Sequence, residues 1–288
     1  MTVTRLRADQ VTEPLAHHGE GPVWVSGGRW PTGIYWVDML AGDVLALDAN
    51  GLVSRRKVGS VAALVRQRTN GGLVYAVERG FALDDGPGTP VRTLPELWDD
   101  PLVRMNEGGC DPAGNLFCGS MSFGAEPGAG SLYRLEPDGA ATVVATGMTI
   151  PNGLEWTADG TRAFHIDTPT GRVDVLDWDP AAGLSNRRPF ATVEAGGPDG
   201  LTVDTDGGVW IGVWGAGAVH RYSPDGTLSV VVEVPARNVT ACAFGGPERD
   251  ELFITTSREQ LADPEPEAGA LFSVRTGRAG VVPRMFAG

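Results

Sequence analysis

The chain has 288 residues and a formal net charge of −13, with 42% of its residues hydrophobic. No apolar run approaches the roughly 18 residues that a membrane-spanning helix needs, and the acidity would repel nucleic-acid phosphates and anionic lipid surfaces. Composition therefore leaves a soluble protein with a small-molecule or protein partner, and it says nothing of oligomeric state. The segment Met1 to Gln10 carries two arginines with no apolar stretch behind them, so it does not read as a secretory signal. Cys110, Cys118 and Cys242 lack the close-paired spacing of a zinc site, and their odd number argues against a disulfide framework. They read as small buried hydrophobes in a reducing cytoplasm.

Short β-rich runs separated by turn signals fill the chain, and helical periodicity is almost absent. The first pair is Ile34 to Val37 and Val44 to Leu47. Similar pairs follow at Leu73 to Val77 with Gly80 to Leu83, Asn115 to Cys118 with Ser131 to Leu135, and Arg162 to Ile166 with Val173 to Leu176. The last two are Val209 to Gly212 with Val219 to Tyr222, and Glu251 to Thr255 with Ala270 to Val274. Six copies in 288 residues give a period of about 48, which is that of a propeller blade. Asn-Gly and Asp-Gly dipeptides at 50, 70, 138, 159, 206 and 225 supply the positive φ angles of tight hairpins. The expected architecture is all-β: a single six-bladed β-propeller spanning residues 1–288, with four-stranded blades around a central channel. The run Asp263 to Glu267 is read as a loop inside the last blade, and Trp98-Asp99 and Trp178-Asp179 fall out of phase for a WD-type repeat.

Within this frame, four polar residues stand at one phase, each with a glycine eight positions later: Glu20, Asn106, Asn152 and Asp199. In a propeller, residues at the start of the innermost strands converge on the axis. Ser60 and Thr240 are weaker equivalents in the two other blades. A single Asn-Gly or Asp-Gly is most simply a turn. Four at one phase, one of them a Glu with little turn preference, read as a site. Carboxylates and amide oxygens gathered on an axis repel one another unless a cation sits among them. An all-oxygen set suits Ca²⁺, Mg²⁺ or Mn²⁺, with waters completing the shell. Arg104, close by, has the planar fork of donors that orients a polyhydroxylated or carboxylated ligand. Glu107 reads as a surface or supporting group. His17 and His18 have no evident Ser or Cys nucleophile, His165 and His220 lie within strands, and Trp24, Trp36, Trp156 and Trp210 fall at blade-packing phases.

These same residues carry a likeness to a known family. Gly19 to Trp24, Arg104 to Gly108 with Asp111 to Gly114, Pro151 to Trp156, Ser185 to Arg188 and Pro198 to Gly200 occur in the order of its motifs. By these, from about Glu13 to the carboxyl end, the chain resembles the senescence-marker-protein, gluconolactonase and luciferin-regenerating-enzyme family. The resemblance implies a metal-dependent hydrolase that opens sugar lactones to aldonic acids. It further implies one divalent ion, Ca²⁺ in the first place and Zn²⁺, Mg²⁺, Mn²⁺ or Fe²⁺ otherwise, held by Glu20, Asn152 and Asp199. Asp199 would be the general base, the ion a Lewis acid, and Arg104 and Asn106 the substrate contacts. Where regucalcin-like members have a substrate-contacting Glu after a Gly-Ser/Thr-Met segment, this chain has Gly124, so Glu126 is the expected replacement within the shortened loop Ser122 to Gly130. Two other activities fit such a site: phosphotriester hydrolysis, and calcium binding by a non-enzymatic regulator.

Overall fold

In the computed structural model, which describes residues 2–288, six sheets, each built on four antiparallel strands, stand in a ring. Their innermost strands are Gly19–Val25, Ala62–Gln67, Val103–Cys110, Pro151–Trp156, Gly197–Val203 and Asn238–Gly245. Each touches the innermost strand of the next blade, and the sixth returns to the first. The six predicted strand pairs are the second and third strands of blades 1 to 6, and Asp263 to Glu267 lies between the second and third strands of blade 6. The amino terminus adds what the strand pattern did not indicate. Asp9–Gln10 pairs with Phe272–Arg275 as the outer strand of blade 6, and Thr4–Arg7 runs parallel to Leu228–Glu233 as a fifth strand on blade 5. The first residues of the chain thus close the ring against its last blades.

The core lies between blades. Trp36, Trp156 and Trp210 are fully buried, Trp24 stacks on Phe253 across the closure between blades 1 and 6, and all three cysteines are buried and free. Burying such large faces is the main stabilising term. Thr240 Oγ1, with no exposure, donates to the Gly19 carbonyl at 2.6 Å and so ties blade 6 to blade 1. Among the described residues no helix is long and apolar enough to cross a membrane.

Every innermost strand carries a register shift at the same place. The shifts lie at Glu20/Val23, Ala62/Leu64, Met105/Gly108, Pro151/Leu154, Pro198/Leu201 and Val239/Cys242. A bulge re-aims side chains out of the pleat, and here it does so around one axis six times. The glycines that follow Asn152 and Asp199 are explained by this rather than by turns. A Cβ on Gly153 would stand 2.7 Å from the Leu201 backbone nitrogen, and one on Gly200 would stand 2.4 Å from the Ala241 Cβ. Neighbouring innermost strands approach too closely for a side chain there. In blade 2 the bulged residue is Ala63, so Ser60 does not hold the axial phase. It is exposed and donates to Glu78 at 2.6 Å.

Candidate active site

The first strand of each blade starts, and the second ends, at one end of the channel. At that end lies a cavity of about 190 Å³. Glu20, Asn106, Asn152 and Asp199 line it together with Arg104, and all five are nearly inaccessible to solvent. The structure therefore brings together every expected site residue except Glu126. That residue is exposed, and Ser122 Oγ donates to its carboxylate while accepting from its backbone N–H at 2.8 Å. The hydroxyl holds the carboxylate against its own loop, away from the cavity. Of the two readings of Glu107, as a surface or a supporting group, its burial excludes the first. Glu107 lines a separate chamber of about 30 Å³ at the other side of the axial ring, with Arg66, Glu155 and Arg284.

A chain of hydrogen bonds fixes the amides. Arg104 Nη1 donates to Asn106 Oδ1 at 2.8 Å, and Asn106 Nδ2 donates to both the Pro151 carbonyl and Asn152 Oδ1, each at 2.9 Å. Asn152 Nδ2 donates to Thr168 Oγ1 at 2.7 Å, whose hydroxyl donates to the Pro198 carbonyl at 2.8 Å. This sequence of donors dictates which end of each amide is oxygen. Asn152 Oδ1 keeps one lone pair free, and Asn106, with its amide hydrogens committed, retains only acceptor capacity. Arg104 is further held by the Met105 carbonyl and by the Phe123 ring, 5.6 Å from its guanidinium carbon.

The charges are poorly compensated. Burial pushes the Glu20 carboxyl up to about 7, against the pull of the Gly21 N–H and Arg104. Burial also holds Asp199 well above the usual carboxylate range, reinforced by the charges of Glu20 and Glu107. Arg104 is pulled down to about 10 by burial, with Glu20 opposing, and stays cationic at neutral pH. One guanidinium faces two axial carboxylates. Among the described residues no three His, Cys, Asp or Glu side chains gather as a ligand set. The candidate ligands are instead mixed, two carboxylates and a pre-oriented amide oxygen, and this donor chemistry fits a hard divalent cation.

Several lining residues had no signal in the axial pattern. They come from the ends of second strands: Leu40, Met121 and Phe123, Thr168, Trp214, and Glu259 with Gln260. Counting residues forward from each predicted second strand would have found them. Two of these second strands repeat a device. The Asp38 carboxylate, ending one second strand, accepts the N–H groups of His17 and His18, and the Asp167 carboxylate accepts those of Thr149 and Ile150. Each carboxylate thereby fixes the segment that leads into its own blade's innermost strand. His18 also has a partner that the sequence did not reveal, Ser257 Oγ at 2.7 Å from Nδ1. Burial and the Arg104 charge push its imidazole down to about 3, so it is neutral at physiological pH.

Comparison with known proteins agrees with this architecture. Residues 18–258 match the model of the SMP-30/Gluconolactonase/LRE-like region. The pentonolactonase XacC of Haloferax volcanii is 36% identical over 263 residues, covering 89% of this chain and 86% of the relative. Regucalcin of Danio rerio is 32% identical over 303 residues, covering 99% of this chain and all of the relative. Among solved structures, the calcium-binding protein regucalcin of Agrobacterium tumefaciens superposes with a TM-score of 0.89 at 29% identity, covering 100% of this chain and 98% of that one.

Proposed function

Because this chain belongs to the SMP-30/Gluconolactonase/LRE-like family, we propose that it hydrolyses sugar lactones to aldonic acids with the aid of one divalent cation. The observation that carries this reading is the buried, undercompensated pair Glu20 and Asp199 beside the oriented Asn152 oxygen, on the floor of a cavity at one end of the channel. Glu20, Asn152 and Asp199 would hold the cation, with Ca²⁺ the best match to their all-oxygen set. When bound, the ion supplies Lewis-acid polarisation of an ester carbonyl, worth several kcal/mol.

The remaining work falls to side chains of this chain. Asp199 accepts the proton of the attacking water through the part of its carboxylate that the cation does not engage. Arg104 donates to ring or hydroxyl oxygens of the lactone, held in place by Asn106 and Phe123. Asn106 accepts from a sugar hydroxyl through its remaining lone pair. Thr168 keeps Asn152 from rotating, so the geometry is set before substrate arrives. Glu126 has no part in this arrangement.

Parallel assays of an aldonolactone and a phosphotriester, each with several divalent ions, test the reading. We expect lactone turnover to exceed phosphotriester turnover by roughly 10²-fold or more in kcat/KM, the order that one well-placed catalytic group contributes. A preference for the phosphotriester would overturn the proposal.

A further inference from the structure

Above the polar floor the cavity wall is divided in two. Leu40, Met121, Phe123, Ala125 and Ile150, from blades 1 and 3 and the entry to blade 4, form one side, and none carries a hydroxyl or charge. His18, Thr168, Glu259 and Gln260, with the indole of Trp214 edge-on to His18, form the other. Blade 2 contributes nothing to the wall because its second and third strands, Leu73–Val77 and Gly80–Asp84, are joined by two residues only. Phe123 is 48% exposed at this edge, and Leu102, 67% exposed, accepts the Phe123 N–H through its carbonyl and extends the apolar surface outward. The carboxylate of this loop, on Glu126, is occupied by Ser122.

Both sides are held in uncommon backbone shapes. Among the described residues four non-glycine residues have positive φ, and two of them line this cavity: Ala125 at 54° on the apolar side and Gln260 at 61° on the polar side. Strained backbone of this kind persists where the surroundings over-determine it and gathers at ligand sites. The rim loops are thus shaped on both sides of the division.

Resting on the sugar-lactone reading, we infer that the substrate is amphipathic: a lactone whose hydroxyls face the floor and the polar side, and whose terminal exocyclic carbon is a methyl or other alkyl group that lies against Phe123 and Ile150. A hydroxymethyl group on that side would meet no side-chain hydrogen-bond partner and would give up part of its hydration, whereas a methyl group loses nothing there. Phe123 is then a specificity-determining residue as well as a support for Arg104.

The test is a matched pair, L-rhamnono-1,4-lactone and L-mannono-1,4-lactone, which differ only by the terminal hydroxyl. Both kcat/KM and calorimetric Kd are measured for the wild type, Phe123→Ser and Leu40→Ser with the divalent ion supplied. The wild type is expected to favour the deoxy lactone by roughly tenfold, the lower end of what one such group is worth in an apolar pocket. Either serine variant should bring the ratio roughly threefold or more toward unity. Turnover of both lactones with a ratio at or below one, or a ratio that neither variant moves, would overturn this inference and leave the lactonase reading standing. Turnover of neither would overturn the lactonase reading itself. The Kd ratio then decides for the pocket: tenfold tighter binding of the deoxy lactone upholds its amphipathic character, and equal binding refutes it.

Discussion

With divalent cation at saturation, Asp199→Asn is expected to lower kcat for sugar-lactone hydrolysis by roughly 10²–10⁴-fold, the range for loss of a general base. Asparagine keeps the size of the side chain and one carbonyl oxygen, but it cannot take a proton. The substitution also removes a charge from an axis where burial, Glu20 and Glu107 all oppose that charge, so it does not endanger the fold. The loss should therefore appear in kcat with the unfolding midpoint maintained, a pattern that separates a missing base from a disrupted blade. Asn106→Ala makes the useful contrast. It cuts the link between Arg104 and Asn152, so it should raise KM as well as lower kcat. A wild-type kcat in Asp199→Asn would remove this residue from the mechanism.

The second large effect runs against ordinary intuition about buried ionic residues. In the presence of chelator at pH 8, Glu20→Gln is expected to be more stable than the wild type. The Glu20 carboxyl lies at about 7 in the folded chain against 4.5 for an unperturbed glutamate, so the folded state binds the proton more tightly than the unfolded one. Its contribution is then complete below pH 4.5 and is lost as pH rises through 7. A shift of that size amounts to about 3 kcal/mol at pH 8 as an upper figure. Glutamine carries no charge and can still accept the Gly21 N–H. Urea unfolding at pH 8 and at pH 4.5 reads the effect: the variant's advantage should be large at the first and small at the second, while its lactone turnover is lost. A variant less stable than the wild type at pH 8 would show that the axial carboxylates are not held under repulsion. Stability is given up at this site for function, as is common where charges must face a ligand.

The fold was largely legible because a propeller repeats. Six strand pairs at a regular period, with Asn/Asp-Gly turns between them, left little else to consider, and the axial phase led directly to Glu20, Asn106, Asn152 and Asp199. What escaped has physical causes. Thr4–Arg7 and Asp9–Gln10 are short edge strands whose exposed faces carry no alternation to read. Ser60 lies before the strand whose bulged residue is Ala63, and the shift that brings a side chain to the axis leaves no mark on composition. The Asn-Gly and Asp-Gly signals were ambiguous because a turn glycine and a glycine crowded by a neighbouring strand look alike in one dimension. Glu107 reads as a surface or a supporting group because nothing in its local pattern betrays a second buried chamber. Glu126 was placed only by its nearness to Gly124, and its fate was decided by a neighbouring hydroxyl. The rim residues Leu40, Phe123, Ile150 and Gln260 belong to connections between strands, where recognition is carried and where periodicity gives no guidance.

The central claim is that a divalent cation held by Glu20, Asn152 and Asp199 is required for lactone hydrolysis. It is tested most directly by removing all metal with chelator, restoring one ion at a time, and following hydrolysis of a sugar lactone in the wild type and in Glu20→Gln. Turnover should vanish on chelation and return with a single oxygen-preferring ion in the wild type but not in the variant. Undiminished hydrolysis in the chelated protein, or full restoration in Glu20→Gln, would contradict the account.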